Sequence, residues 1–170
     1  MINYVMILNV RGFKRVGGDF MKFTKDDVFL NVDVKNKEEL LTFISTHAKY
    51  IGFTDKPKDL LESFQEREKE YSTGLQDGFA IPHAKSNAVK KVGIIYLRSK
   101  NPIEWKTYDD KPVTDVFALM APPKNAGNTH LKMLASLSTA LLEDDFKKSL
   151  KLTDNPEKIS ELISKNMEVN

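Results

Sequence analysis

Two apolar runs, Val92-Gly93-Ile94-Ile95-Tyr96-Leu97 and Val113 to Met120, read as buried central strands. A strand that is apolar almost without alternation is covered on both faces, so these runs ask for a sheet with helices packed against it. Helical patterns lie around them. Asn36 has the form of an N-cap, with Glu38 and Glu39 in the first turn and Leu40, Leu41, Ile44, Ala48 and Ile51 at helical spacing up to Gly52. Pro57 starts a second helix through Leu60, Leu61 and Phe64 into the charged stretch Gln65 to Glu70, closed by Thr73 and Gly74. Thr129 caps a third, in which Leu131, Leu134, Ala135, Ser138, Leu141 and Leu142 form one stripe, and Asp154-Asn155-Pro156-Glu157 starts a last one through Ile159, Leu162 and Ile163. Shorter strands are expected at Val28 to Val34 and Ile103 to Trp105, with a turn at Lys100-Asn101-Pro102. Helices interleaved with strands predict an α/β fold, a single-domain layered sandwich with a mixed β-sheet flanked by helices.

At 170 residues and 41% hydrophobic content, the chain can bury one sizeable core. With 26 basic and 24 acidic residues its charge is nearly balanced, and its apolar runs are too short to span a bilayer, so no nucleic-acid partner and no direct membrane insertion are expected. The chain has no cysteine, which excludes thiolate chemistry, disulfides and cysteine-held metals. Arg11, Lys14 and Arg15 follow the leading apolar segment instead of preceding it, the reverse of an export signal, and a cytoplasmic location is expected. Gly17-Gly18-Asp19 back-translates to GGNGGNGAY, like a ribosome-binding site a short way ahead of the Met21 codon. Residues 1–20 are accordingly read as a non-native leader or flexible extension, and 21–170 as the domain; the rival reading is an edge strand at Tyr4 to Val10.

Chemistry concentrates in Gly78-Phe79-Ala80-Ile81-Pro82-His83-Ala84-Lys85. Pro82 has a fixed φ and biases Ile81 toward an extended conformation, so His83 follows a stiff step in what is expected to be a loop after a short strand. An imidazole held in this way can attack phosphorus with one ring nitrogen while the other is held by a hydrogen bond. His130 is expected at a helix start, where the dipole favours an anion; on general grounds a lone histidine there is more often a surface or interface residue. His47 is read as structural or exposed, and Trp105 as packing within a strand.

Thr73-Gly74-Leu75, the Gly78 to Lys85 block, Val113-Thr114-Asp115-Val116-Phe117-Ala118-Leu119 and His130-Leu131-Lys132-Met133-Leu134-Ala135-Ser136-Leu137 resemble the fructose and mannitol family of phosphotransferase-system enzyme IIA domains. The resemblance spans nearly everything after Met21. It implies that His83 is phosphorylated by the phosphocarrier HPr and passes phosphate to a cysteine of an enzyme IIB partner on a separate chain. His130 matches the family's second active-site histidine, and Arg67 the arginine beside the phosphohistidine. A guanidinium suits charge on a transferred phosphoryl group, and no metal or other cofactor is expected. Gln76 and Phe79 depart from the family's usual glycine and isoleucine, which predicts a differently packed loop.

Around this core, Thr73 is either a hydroxyl near the phosphate or a turn stabiliser, and Lys85 either steers the anionic donor or is simply solvated. The stretch Gln65 to Glu70 reads as a solvated helix face apart from Arg67. Phe79 and the Ala121 to Asn125 loop are candidates for an exposed apolar docking rim. Fructose, mannitol, galactitol and related polyols all fit the resemblance. The alternative readings are a regulatory module like the nitrogen-branch relatives, switched by phosphorylation of the same histidine, and a metal-binding domain using His83 and His130.

Overall fold

The computed structural model describes residues 13–16, 19–125 and 130–167. In chain order the elements are strands β1 Phe13–Val16, β2 Asp19–Lys22 and β3 Val28–Val32; helices α1 Lys37–Tyr50 and α2 Pro57–Glu70; strands β4 Phe79–Ala80, β5 His83–Lys85, β6 Gly93–Ile103 and β7 Val113–Ala121; and helices α3 Leu131–Ala140, α4 Asp144–Leu152 and α5 Pro156–Asn166. A five-stranded sheet runs in the order β3-β6-β7-β4, with β5 also pairing to β7. β6 and β7 are antiparallel, whereas β3 pairs parallel to β6 and both β4 and β5 pair parallel to β7, so the sheet is mixed.

Alternation along the two central strands builds two cores. Ile95, Leu97, Val116, Ala118 and Met120 join Leu40, Leu41 and Ile44 of α1 and Leu60 and Phe64 of α2 on one face. Ile94, Tyr96, Phe117 and Leu119 join Met133, Leu137, Phe146, Leu150, Ile159 and Ile163 of α3 to α5 on the other. Helices on both faces explain why these strands carry so little polar alternation.

Several local expectations hold in detail. The Asn36 side chain accepts from the Glu39 N–H at 2.8 Å, Pro57 lies in the first turn of α2, and Asn155 caps α5 by accepting from Lys158 N–H at 3.1 Å. Others are corrected. β3 stops at Val32; α2 runs to Glu70 as the charged stretch indicated, but it is closed by Tyr71, already extended, ahead of Thr73-Gly74. Lys100-Asn101-Pro102 is not a turn but part of one long β6, whose pairing with β7 shifts between Arg98 and Ile103. An irregular stretch tolerates Pro102, and the Asn101 amide ties it to the Val34 carbonyl at 3.0 Å. Trp105 is buried as expected but lies beyond the strand.

α3 turns a different face inward. Met133, Leu137 and Ala140 are buried with Leu141, while Ala135, Ser138, Leu131 and Leu142 are exposed. The sequence pattern does not mark α4, because its buried side includes Lys147, which breaks the apolar stripe. Phe79 is fully buried against Phe117 and cannot belong to an exposed rim; Ala121 is buried too, leaving Pro123 and Lys124 exposed in that loop. In the leading segment β1 pairs with β2 as an antiparallel hairpin, so residues 13–16 and 19–22 have regular structure. Tyr4 to Val10 and Thr129 lie outside the described residues.

Candidate active site

His83 opens β5 and is not in a loop. Proline explains the break between β4 and β5: Pro82 has no N–H for the ladder, and the Ile81 N–H turns away to the Thr73 carbonyl at 3.0 Å. The Pro82 carbonyl still accepts from Leu119 N–H at 2.9 Å, so the chain re-enters the sheet with His83 opposite Leu119. The turn before β4 needs glycine at Gly78, where φ is +84°. Gly74 is needed for close approach, since a Cβ there would stand 2.4 Å from the Lys106 carbonyl oxygen.

The His83 ring is held at both nitrogens. Nδ1 lies 2.9 Å from the Ile81 carbonyl oxygen, an acceptor only, so Nδ1 carries the proton. Nε2 is then unprotonated, and it accepts from Arg67 Nε at 3.0 Å. Arg67 Nη1 donates to the Tyr71 carbonyl at 2.9 Å, which fixes the plane of the guanidinium. Burial is the main cause that lowers the His83 pKa below the ordinary value; the Ile81 bond works against it and the Arg67 charge with it. The ring is therefore neutral at neutral pH, with the Nε2 lone pair unprotonated and engaged by Arg67.

His130 immediately precedes α3, its ring centroid 5.5 Å from that of His83. Burial, then the charges of His83, Lys85 and Arg67, push its pKa down to about 4, so it is neutral at physiological pH. Its Nδ1 is buried with no hydrogen-bond partner among the described residues. Arg67, His83, Lys85 and His130 line one cavity of about 440 Å³, together with Leu131 and Leu134. A neutral nucleophile, a guanidinium and a second neutral imidazole around a half-open cavity can receive a phosphoryl group and neutralise its oxygens.

Four of the five expected site residues are thus brought together. Thr73 is not at the cavity: it is buried, and its hydroxyl donates to Glu68. Sequence reasoning missed Glu68, which it placed on a solvated face. Yet Leu60, Phe64 and Glu68 share one side of α2 at four-residue spacing, and that continuation of the apolar stripe was the available signal. Leu131, expected in the core stripe of its helix, is exposed at the cavity instead, while Leu134 packs partly against the core as expected and also lines the cavity. Among the described residues no three His, Asp or Glu side chains converge as a metal-binding set.

The family profile described as phosphoenolpyruvate-dependent sugar phosphotransferase system, EIIA 2, matches residues 21–166. The chain belongs to this family of phosphotransferase-system domains. It is 31% identical over 132 residues to the fructose-specific EIIA component of Haloferax volcanii, covering 78% of this chain and 85% of that one. It is 33% identical over 141 residues to the fructose-specific EIIABC component of Bacillus subtilis, covering 83% of this chain but only 22% of that longer protein. Among solved structures, the nitrogen regulatory protein IIA-Ntr of Neisseria meningitidis superposes with a TM-score of 0.76 at 27% identity, over 82% of this chain and 94% of that one.

Proposed function

We propose that this domain is a phosphocarrier of sugar transport, accepting phosphate from phospho-HPr on His83 Nε2 and passing it to a cysteine of an enzyme IIB partner. The observation that carries this reading is the His83 ring itself, with Nδ1–H given to Ile81 and the Nε2 lone pair facing Arg67. In the first step Arg67 Nε–H leaves that lone pair for an incoming phosphoryl oxygen, and the lone pair forms an N–P bond as the donor's P–N bond breaks, the electron pair returning to the donor imidazole. The phosphorylated ring becomes cationic, and the Ile81 carbonyl already holds its remaining N–H. Arg67 and neutral His130 donate to the phosphoryl oxygens, so the reading assigns no metal or other cofactor. In the second step a thiolate attacks phosphorus and the P–N electrons return to Nε2. These 170 residues contain no cysteine, so the acceptor sulfur lies outside them. The relative from Bacillus subtilis, named as an EIIABC component, supports a IIB acceptor. Phosphoenolpyruvate as the ultimate donor supports a cytoplasmic location.

The test is intact-mass analysis after incubation with phosphoenolpyruvate, enzyme I and HPr. One acid-labile phosphoryl group should appear on the native chain, be absent from His83→Ala and form slowly on His130→Ala. A folded native chain that gains no mass would refute the reading. The likeness to the nitrogen regulatory protein favours a second reading, in which the phosphorylation state of His83 controls binding to other proteins. Transfer onward to a IIB protein, and IIB and IIC genes beside this one, would decide for transport.

A further inference from the structure

Glu68 sits between Glu66 and Glu70 in a run of charges, yet its own side chain is only 8% exposed. Its carboxylate accepts from the Thr73 N–H at 3.1 Å, the Thr73 hydroxyl, the Trp105 indole N–H at 2.9 Å and the Lys37 ammonium at 3.1 Å. A buried carboxylate satisfied in this way adds little net stability compared with an apolar residue, but it strongly defines the geometry of what it holds.

What it holds is Thr73; the Nδ1 side of the His83 ring leads back there, and the Nε2 side leads to Tyr71 in the same segment. The Thr73 carbonyl accepts from Ile81 N–H at 3.0 Å, and the Ile81 carbonyl accepts from His83 Nδ1 at 2.9 Å. On the other side, His83 Nε2 accepts from Arg67, whose Nη1 is held by the carbonyl of Tyr71, two residues before Thr73. Arg67 is also the residue next to Glu68 on α2. The hydrogen bonds therefore close a ring from Glu68 through Thr73, Ile81, His83 and Arg67 back to the same helix turn.

We infer that Glu68 is the positioning residue of this site: by clamping Thr73 it selects the Nδ1–H tautomer of His83 and aims Arg67 at Nε2. This rests on the reading that Nε2 takes the phosphoryl group. Glu68 makes no hydrogen bond to His83 and does not line the cavity; beyond its charge, which works to raise the His83 pKa, it acts through its neighbours.

The experiment uses the full chain with ¹⁵N-labelled histidine. Imidazole NMR reports the His83 tautomer, and phosphoryl uptake from phospho-HPr is timed in parallel. In the native chain the Nδ1–H tautomer should dominate. In folded Glu68→Ala the two neutral tautomers should mix and uptake should slow by about tenfold or more, because small misplacements at a reacting centre are costly. Adding Glu68→Ala to Arg67→Ala should cost less than it does alone, since the two act on one geometry. Glu68→Gln keeps an acceptor oxygen and should restore the native tautomer and most of the rate. If Glu68→Ala does not fold, Thr73→Val, which keeps the shape and loses the hydroxyl, should still mix the tautomers.

A folded Glu68→Ala or Thr73→Val chain with the native tautomer and rate would overturn the inference. So would equal mixing in Trp105→Phe, which would make the effect a general loosening. A native chain with the Nδ1–H tautomer that takes no phosphate would instead refute the phosphocarrier reading.

Discussion

Replacing Arg67 by methionine keeps much of the packing of the side chain while removing the guanidinium. Two interactions go with it, the 3.0 Å bond to His83 Nε2 and the 2.9 Å bond that fixes the guanidinium on the Tyr71 carbonyl. A preorganised donor aimed at charge in a partly enclosed site is worth about 10² to 10³ in rate, or roughly 3 kcal/mol of transition-state stabilisation. Arg67→Lys should recover only part of this, because an ammonium cannot reproduce the planar fork that bonds to both acceptors. The pH profile should move as well. The Arg67 charge helps to lower the His83 pKa, so its removal raises that pKa. Nε2 then stays protonated, and unable to attack, up to a higher pH. In timed uptake from phospho-HPr between about pH 5.5 and 8, a span that brackets the ordinary histidine range, the same donor is used throughout. The acid limb of the variant should then lie at higher pH than that of the native chain. An Arg67→Met chain with native uptake, or with its acid limb unmoved or displaced downward, would refute this account of the site.

His130 carries a second pH effect, on stability. Its folded pKa of about 4 lies below the ordinary value of 6.5, so its contribution is fully present above 6.5 and is lost as pH falls toward 4, by at most about 3 kcal/mol. Urea unfolding of His130→Gln should show a shallower loss of stability over that window than the native chain, and identical slopes would contradict it. Asp115 accepts from Tyr96, from Arg98 at 3.0 Å and from Thr114 at 2.7 Å while only 2% exposed, and Arg98 continues to the carbonyls of Leu150 and Thr153 at the end of α4. Asp115→Ala leaves this network without its acceptor, and denaturant titration should read a loss of about 3–5 kcal/mol. A chain beginning at Met21 loses β1 and half of β2, which pair with each other and not with the five-stranded sheet. It should keep the native circular dichroism and the uptake rate, and a loss of either would assign residues 1–20 to the domain.

The residues that could be read without a fold are those whose effect is local. Asn36, Pro57 and Asn155 act on N–H groups or dihedrals within one turn, so they mark helix starts correctly. Continuous apolar character in β6 and β7 announces a sheet covered on both sides, and the stiff Ile81-Pro82 step marks His83. Arg67 is legible only because the motif as a whole resembles a known family, and His130, whose place at a helix start is a weak signal taken alone, gains its role from the same resemblance.

Other features depend on what lies across space. α3 has apolar residues on nearly every side, so periodicity cannot choose its inner face; packing against Ile94, Phe117 and Leu119 turns Met133 and Leu137 inward and leaves Leu131 and Leu134 at the cavity. α4 is hidden because its buried side holds Lys147, whose ammonium is paired there with Asp77, 70 residues away, as well as with Asp144 on its own helix. Glu68 is hidden in the same way, since a carboxylate among charges looks solvated until Thr73, Trp105 and Lys37 are brought to it. Short-range sterics and periodicity, written in neighbouring residues, determined the layered fold and the stiff step that sets His83. The Nδ1 proton of its ring is held locally by Ile81, but the approach of Arg67 to Nε2 and of His130 to the ring was decided by segments that come together only when the sheet and helices pack.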